Sequence, residues 1–105
     1  MRLTLPVLAA TCIVAGLAPA SHASPELAQK HACLACHAVD RKVVGPSYQD
    51  VAKRYADQSD AQAKLAASIK AGGAGRWGPV PMPAQPGVPE ADLRSLAAWI
   101  AAQAR

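Results

Sequence analysis

Apolar positions cluster in short runs at helical spacing. Tyr48, Val51, Ala52 and Tyr55 recur at i, i+3, i+4 and i+7 directly after the Gly45-Pro46 break, which predicts a helix over about 47–57. Leu65, Ala66 and Ile69 mark a further helix, with Ser59 and Gln62 at capping-box spacing ahead of it and Gly72-Gly73 as its stop. Near the end, Pro89 precedes Glu90 and Asp92, acidic residues suited to a positive helix terminus, and Leu93, Leu96, Ala97 and Ile100 form the inward face. Ser24 and Pro25 predict a short helix to about Lys30, the hydroxyl capping free N–H groups and the proline standing where its missing N–H costs nothing. No segment alternates with the two-residue period of a strand, so the pattern predicts an all-α fold of about four helices.

The apolar run at the start has a different character. Arg2 supplies a positive end, Leu3 to Leu17 is almost wholly apolar, and Ser21-His22-Ala23 offers small residues for cleavage, so residues 1–23 read as a cleaved secretory signal and 24–105 as the single mature domain. A membrane anchor is the rival reading, but Pro6, Gly16 and Pro19 interrupt the run and its length is marginal for a bilayer, so no stable membrane insertion is expected. Cys12 suggests a lipid anchor only weakly, because Ala9-Ala10-Thr11 before it fits the attachment pattern poorly. Removing 23 of the 105 residues leaves 82, with Cys33, Cys36, His31, His37 and Met82 as the soft or nitrogen donors. The formal charge falls from +4 to +3 with the loss of Arg2, and interspersed acidic residues leave no basic stripe for nucleic acid. The chain has no Phe, and so small a domain with few large side chains needs a staple or a filler at its centre.

Between the last two helices, Gly72 to Pro89 is too rich in glycine and proline for helix or sheet, and a structureless stretch of this length in a small domain points to function. It carries Trp77 and Met82. Upstream, Cys33-Leu34-Ala35-Cys36-His37 is the Cys-x-x-Cys-His pattern of c-type haem attachment. On a helical turn these three positions share a face, so two thiols can add to the vinyl groups on one porphyrin edge while His37 reaches the iron. Three rivals compete: a thioredoxin-like pair, which wants a βαβ setting; a zinc site, which normally draws on a second ligand pair; and a Cys33–Cys36 disulfide, whose loop is too small to stabilise much. For the iron's far side the candidates are Met82, held between Pro81 and Pro83, and His31, which lies on the attachment side and reads better as a surface histidine. With His37 and Met82 both bound, no position is left for oxygen or substrate, and single-electron transfer is the remaining chemistry, so the chain is not expected to be an enzyme.

These residues carry a likeness. The chain resembles the small bacterial class I cytochromes c, in particular the short c-551 type, from about Ala28 to Gln103. The motifs are Cys33 to Ala38, Val44-Gly45-Pro46-Ser47-Tyr48 with Asp50-Val51-Ala52, Ile69-Lys70, Trp77 to Pro83, and Leu96-Ala97-Ala98-Trp99. The resemblance implies a periplasmic monohaem carrier of the small cytochrome c fold, with one covalent haem c and the methionine ligand on a Pro/Gly-rich loop. It further implies that the Pro46 carbonyl accepts a hydrogen bond from His37, that Trp77 contacts a haem propionate, and that the first and last helices cross with Leu93, Leu96 and Trp99 in the core. A buried core position is the other reading of Trp77. Nitrite reductase or a terminal oxidase is the implied acceptor, as in denitrification, and a membrane cytochrome complex or small copper protein the implied donor; the carrier is expected to be a monomer. Two departures stand out: Gln85 replaces a frequent asparagine, with Pro86-Gly87 suggesting a one-residue insertion, and Ser68 replaces a frequent propionate-binding arginine, for which Arg76 or Lys70 is a potential substitute, although solvated surface charge is the preferred reading of each. A haem-based sensor or enzyme with a displaceable Met82 is the alternative function.

Overall fold

In the computed structural model the described residues are 9–13, 16 and 24–104. The expected cleavage point after Ala23 lies outside them, and residues 9–13 carry no regular secondary structure. Four α-helices follow: α1 Ser24–Lys30, α2 Tyr48–Tyr55, α3 Ala61–Ala71 and α4 Glu90–Ala101, with a 3-10 turn at Cys33–Ala35. No strand occurs among the described residues; the backbone makes isolated bridges between His37 and Lys42 and between Gly73 and Met82. No described helix is long and apolar enough to cross a membrane.

The helix α4 is the spine, packing against α1, α2 and α3. Its predicted face, Leu93, Leu96, Ala97 and Ile100, is buried against Leu27 and Ala28 of α1, Tyr48 and Val51 of α2, and Leu65 and Ile69 of α3. Burying a leucine of this kind stabilises the fold by roughly 1.5–3 kcal/mol. Trp99 meets Tyr48 edge-to-face at 5.2 Å, joining α4 to α2 by an aromatic pair whose quadrupoles favour that geometry.

Two helix starts differ from expectation. Ser59 does not cap α3: the helix begins at Ala61 with Asp60 before it and no side-chain cap. The Lys64 ammonium instead ties the entry together, 2.7 Å from Gln58 Oε1 and 3.3 Å from Asp60 Oδ1. Ser24 does not cap α1 either; its hydroxyl donates to the Ser95 carbonyl at 2.9 Å and so fastens α1 to α4. By contrast Ser47 does cap α2, accepting from the Asp50 N–H at 3.1 Å. The expected surface role of His31 also fails. Its ring is only 14% exposed and lies 2.9 Å from Asp92 Oδ2, linking the end of α1 to the first turn of α4.

Truncating the fully buried Leu96 leaves a void where three helices meet. Leu96→Ala is expected to destabilise the protein by about 2–5 kcal/mol, read as a shift of the denaturant midpoint. At the surface, a hydrogen bond from Lys70 holds the Glu90 carboxyl below its ordinary 4.5. Its contribution is therefore complete above that ordinary value and lost as pH falls through the lowered folded one. Glu90→Gln should flatten this acid limb of the melting temperature against pH, slightly and only at low salt, because the pair is exposed.

Candidate functional site

The chain leaves α1 through Ala32, whose φ of 59° is left-handed. Such a conformation costs a non-glycine residue about 1–2 kcal/mol. It turns the backbone into the Cys33 segment, where Cys36 N–H and His37 N–H both donate to the Cys33 carbonyl, at 3.2 and 3.0 Å. The next loop is folded back by the Cys36 carbonyl, which accepts from Val44 at 3.1 Å and from Gly45 at 2.7 Å. That return carries the Pro46 carbonyl to 2.8 Å from His37 Nδ1. Gly45 lies beneath the imidazole so closely that a Cβ there would stand 2.4 Å from His37 Cε1. Tyr48, the first residue of α2, stacks on the same ring at 5.1 Å.

A second wall comes from the loop after α3. Gly72 ends the helix at φ 66°, and a Cβ on it would meet the Met82 carbonyl oxygen at 2.5 Å and the Ala84 nitrogen at 2.6 Å. Glycine is required there on both counts. Gly73 and Met82 then exchange backbone hydrogen bonds of 3.0 and 2.8 Å, and the Gln85 N–H reaches the Ile69 and Lys70 carbonyls, each at 3.2 Å. The loop expected to lack structure is thus pinned on both sides of the methionine. Prolines alone do not predict this clamp; the Gly72-Gly73 pair was its signal.

Cys33, Cys36, His37, Pro46, Trp77 and Met82, separated by up to half the chain, all line one cleft of about 250 Å³. Both thiols are free and half-buried. Burial pushes the Cys33 thiol up from its ordinary 9.0, partly offset by the neighbouring Tyr48 phenol, and burial likewise pushes Tyr48 up. Both are neutral at neutral pH. The lining includes the cations Lys42 and Arg76 and no carboxylate. Among the described residues no three His, Cys, Asp or Glu side chains gather to hold a bare metal ion, whereas structural zinc wants four such donors. An apolar cleft lined by two thiols, one thioether and the His37 imidazole, with His31 engaged by Asp92, suits a flat, apolar, metal-bearing group instead.

Several contacts at the rim escaped the sequence reading. Trp77 is 37% exposed rather than a core residue, and the Arg54 guanidinium lies 3.8 Å from its ring centroid. Arg76 donates to Ser68 Oγ at 2.6 Å. Lys70 is engaged by Glu90 at 2.6 Å. The pairings of Arg54 and Arg76 have no periodic signature, because they join α2, α3 and the long loop.

A family model described as cytochrome c matches residues 22–104. The chain is 48% identical over 92 residues to cytochrome c-552 of Nitrosomonas europaea, covering 88% of this chain and 86% of that protein. It is 51% identical over 87 residues to cytochrome c-552 of Hydrogenobacter thermophilus, covering 83% and 88%, and 48% identical over 80 residues to cytochrome c-551 of Pseudomonas aeruginosa, covering 75% and 76%. The crystal structure of the wild-type Nitrosomonas europaea cytochrome c552 superposes with a TM-score of 0.74 at 48% identity, over 75% of this chain and 98% of that one. With this likeness spanning the four helices and both walls of the cleft, the chain belongs to the cytochrome c family, as a small all-α class I electron carrier with one covalently bound haem c and not an enzyme.

Proposed function

We propose that the chain is a periplasmic one-electron shuttle, exported by residues 1–23, in which Cys33 and Cys36 tether the haem and His37 and Met82 are the axial iron ligands. The observation that carries this reading is the convergence of His37 and Met82 on one cleft, each held by backbone contacts of its own. Haem c supplies an iron that cycles between ferric and ferrous by one electron.

The residues around it have separable tasks. A carbonyl can only accept, so the 2.8 Å contact with Pro46 puts the His37 proton on Nδ1 and leaves the Nε2 lone pair for the metal. The Met82 thioether is a soft donor that favours the ferrous state and so raises the potential. Its backbone is bonded through both N–H and C=O to Gly73, which opposes displacement and disfavours the sensor reading. Trp77, exposed at the rim of the cleft, would hold a propionate of the haem. Val44 and Val80, exposed beside the cleft with Trp77, offer a small apolar contact around an otherwise mildly basic surface. Such a patch fits brief docking by a monomer to partners with acidic surrounds. A respiratory donor, either a membrane cytochrome complex or a small copper protein, and a terminal oxidase or nitrite reductase as acceptor are the proposed partners.

Purified from the periplasm, the protein should keep its pigment in acidified organic solvent; extraction of the pigment would refute attachment through Cys33 and Cys36. Met82→Ala should lose the methionine-to-iron absorption band, lower the potential and let the reduced protein bind carbon monoxide, all visible in optical spectra. Gly45→Ala, by forcing the His37 ring off its seat, should cost about 1–3 kcal/mol in denaturant stability and perturb the ligand field in paramagnetic proton NMR.

A further inference from the structure

His37 is held at one atom by a hydrogen bond and along its face by a stack. The Pro46 carbonyl fixes Nδ1 at 2.8 Å. A carbonyl oxygen accepts over a broad range of directions, so that bond alone leaves the ring free to swing about the N–H···O line. The Tyr48 ring restricts this swing, lying 5.1 Å from the imidazole between centroids with the two planes only 19° apart. Tyr48 is itself fixed. It is 4% exposed, its N–H donates to the Ala38 carbonyl at 2.9 Å where α2 begins, and Trp99 of α4 meets its ring at 5.2 Å and 70°. His37 and Tyr48 both line the cleft, whereas Trp99 stands outside the lining. Three rings therefore run from the central helix to the imidazole, each set at a defined angle to the next. Filling this volume needs only apolar bulk of the right size, but the rings add flat faces in the stacked and edge-to-face arrangements that aromatic quadrupoles favour.

We infer that Tyr48, backed by Trp99, is a positioning residue for the axial imidazole: its ring sets the rotation of the His37 plane about the axis through Nε2 and keeps it the same in both oxidation states. The inference rests on the reading that His37 binds the iron. An imidazole donates π density through the orbital perpendicular to its own plane, so its rotation decides which iron d orbital holds the unpaired electron of the ferric state. A plane fixed by the fold leaves that orbital unchanged from one cycle to the next, and little has to move as an electron arrives or leaves. The Tyr48 hydroxyl lies elsewhere, beside the Cys33 sulfur. The positioning role belongs to the ring and not to the hydroxyl.

The test is proton NMR of the ferric holoprotein at saturating cyanide, which takes the place of Met82 on the iron. Cyanide is linear and has no plane of its own, so the order and spread of the four haem methyl shifts then report the His37 plane alone. Tyr48→Phe keeps the flat face and should reproduce the wild-type pattern. Tyr48→Leu keeps apolar bulk without a face and should reorder or compress the four shifts. Trp99→Leu leaves every residue of the cleft lining in place and should change the pattern in the same direction by less. Leu93→Val weakens the buried core away from the cleft, and it should lower the denaturant midpoint while the methyl pattern stays that of the wild type. An unmoved pattern in Tyr48→Leu or in Trp99→Leu overturns the inference, as does an equal change in Tyr48→Phe or in Leu93→Val. Wild-type protein whose His37 ring protons show no paramagnetic shift would overturn the ligand reading itself, a failure distinct from a shifted ring that is indifferent to Tyr48.

Discussion

The hydrogen bond between His37 and the Pro46 carbonyl ties together more of the molecule than its own strength suggests. In isolation such a bond contributes on the order of 1 kcal/mol. Its geometry, however, requires the loop between the two residues to return at one place. The Cys36 carbonyl enforces that return by capturing two N–H groups, and Gly45 permits it by having no Cβ where the imidazole lies. Ser47 then starts α2 on the very next residue. The orientation of the ring, the path of the loop and the register of α2 are one constraint.

The second wall obeys the same logic with different parts. At the end of α3, Gly72 comes within contact of the Met82–Ala84 backbone, and Gly73 completes a two-way bridge to Met82. Behind both walls stands α4, whose buried face is shared by the three other helices, and against this core pack Cys33 and Met82 themselves. Site and core are therefore not separate regions. A chain with so few large side chains stabilises the Cys33 and Met82 segments by resting them on the same core that holds the helices together.

Much of this is legible in the amino-acid sequence. The inward faces of α2, α3 and α4 are those that the apolar spacing predicted, because burial selects the period directly. The Cys33 to His37 motif and the isolated Met82 pointed to the two walls, since soft donors are scarce in the chain. What the pattern did not carry were choices between chemically equivalent partners. Ser24 and Ser59 both looked like caps, yet a carbonyl on another helix drew one hydroxyl away, and a lysine stabilised the second entry instead. His31 met Asp92, 61 residues distant in sequence, and Arg54 met Trp77 across the domain. Long-range polar pairings leave no local period, so only the folded chain reveals them.

The clamp on Met82 also separates two properties of the long loop that its composition suggests are linked. Backbone bonds reach Met82 from Gly73 and Gln85 from the end of α3, and Pro86-Gly87 follows only after both. Residues added at the Pro86-Gly87 turn, ahead of the buried Val88, would fall downstream of the clamp and leave the backbone bonds of Met82 in place. A change of loop length there thus leaves the Met82 backbone anchored, and the same turn is the place to graft a tag, a label or a binding epitope onto this carrier.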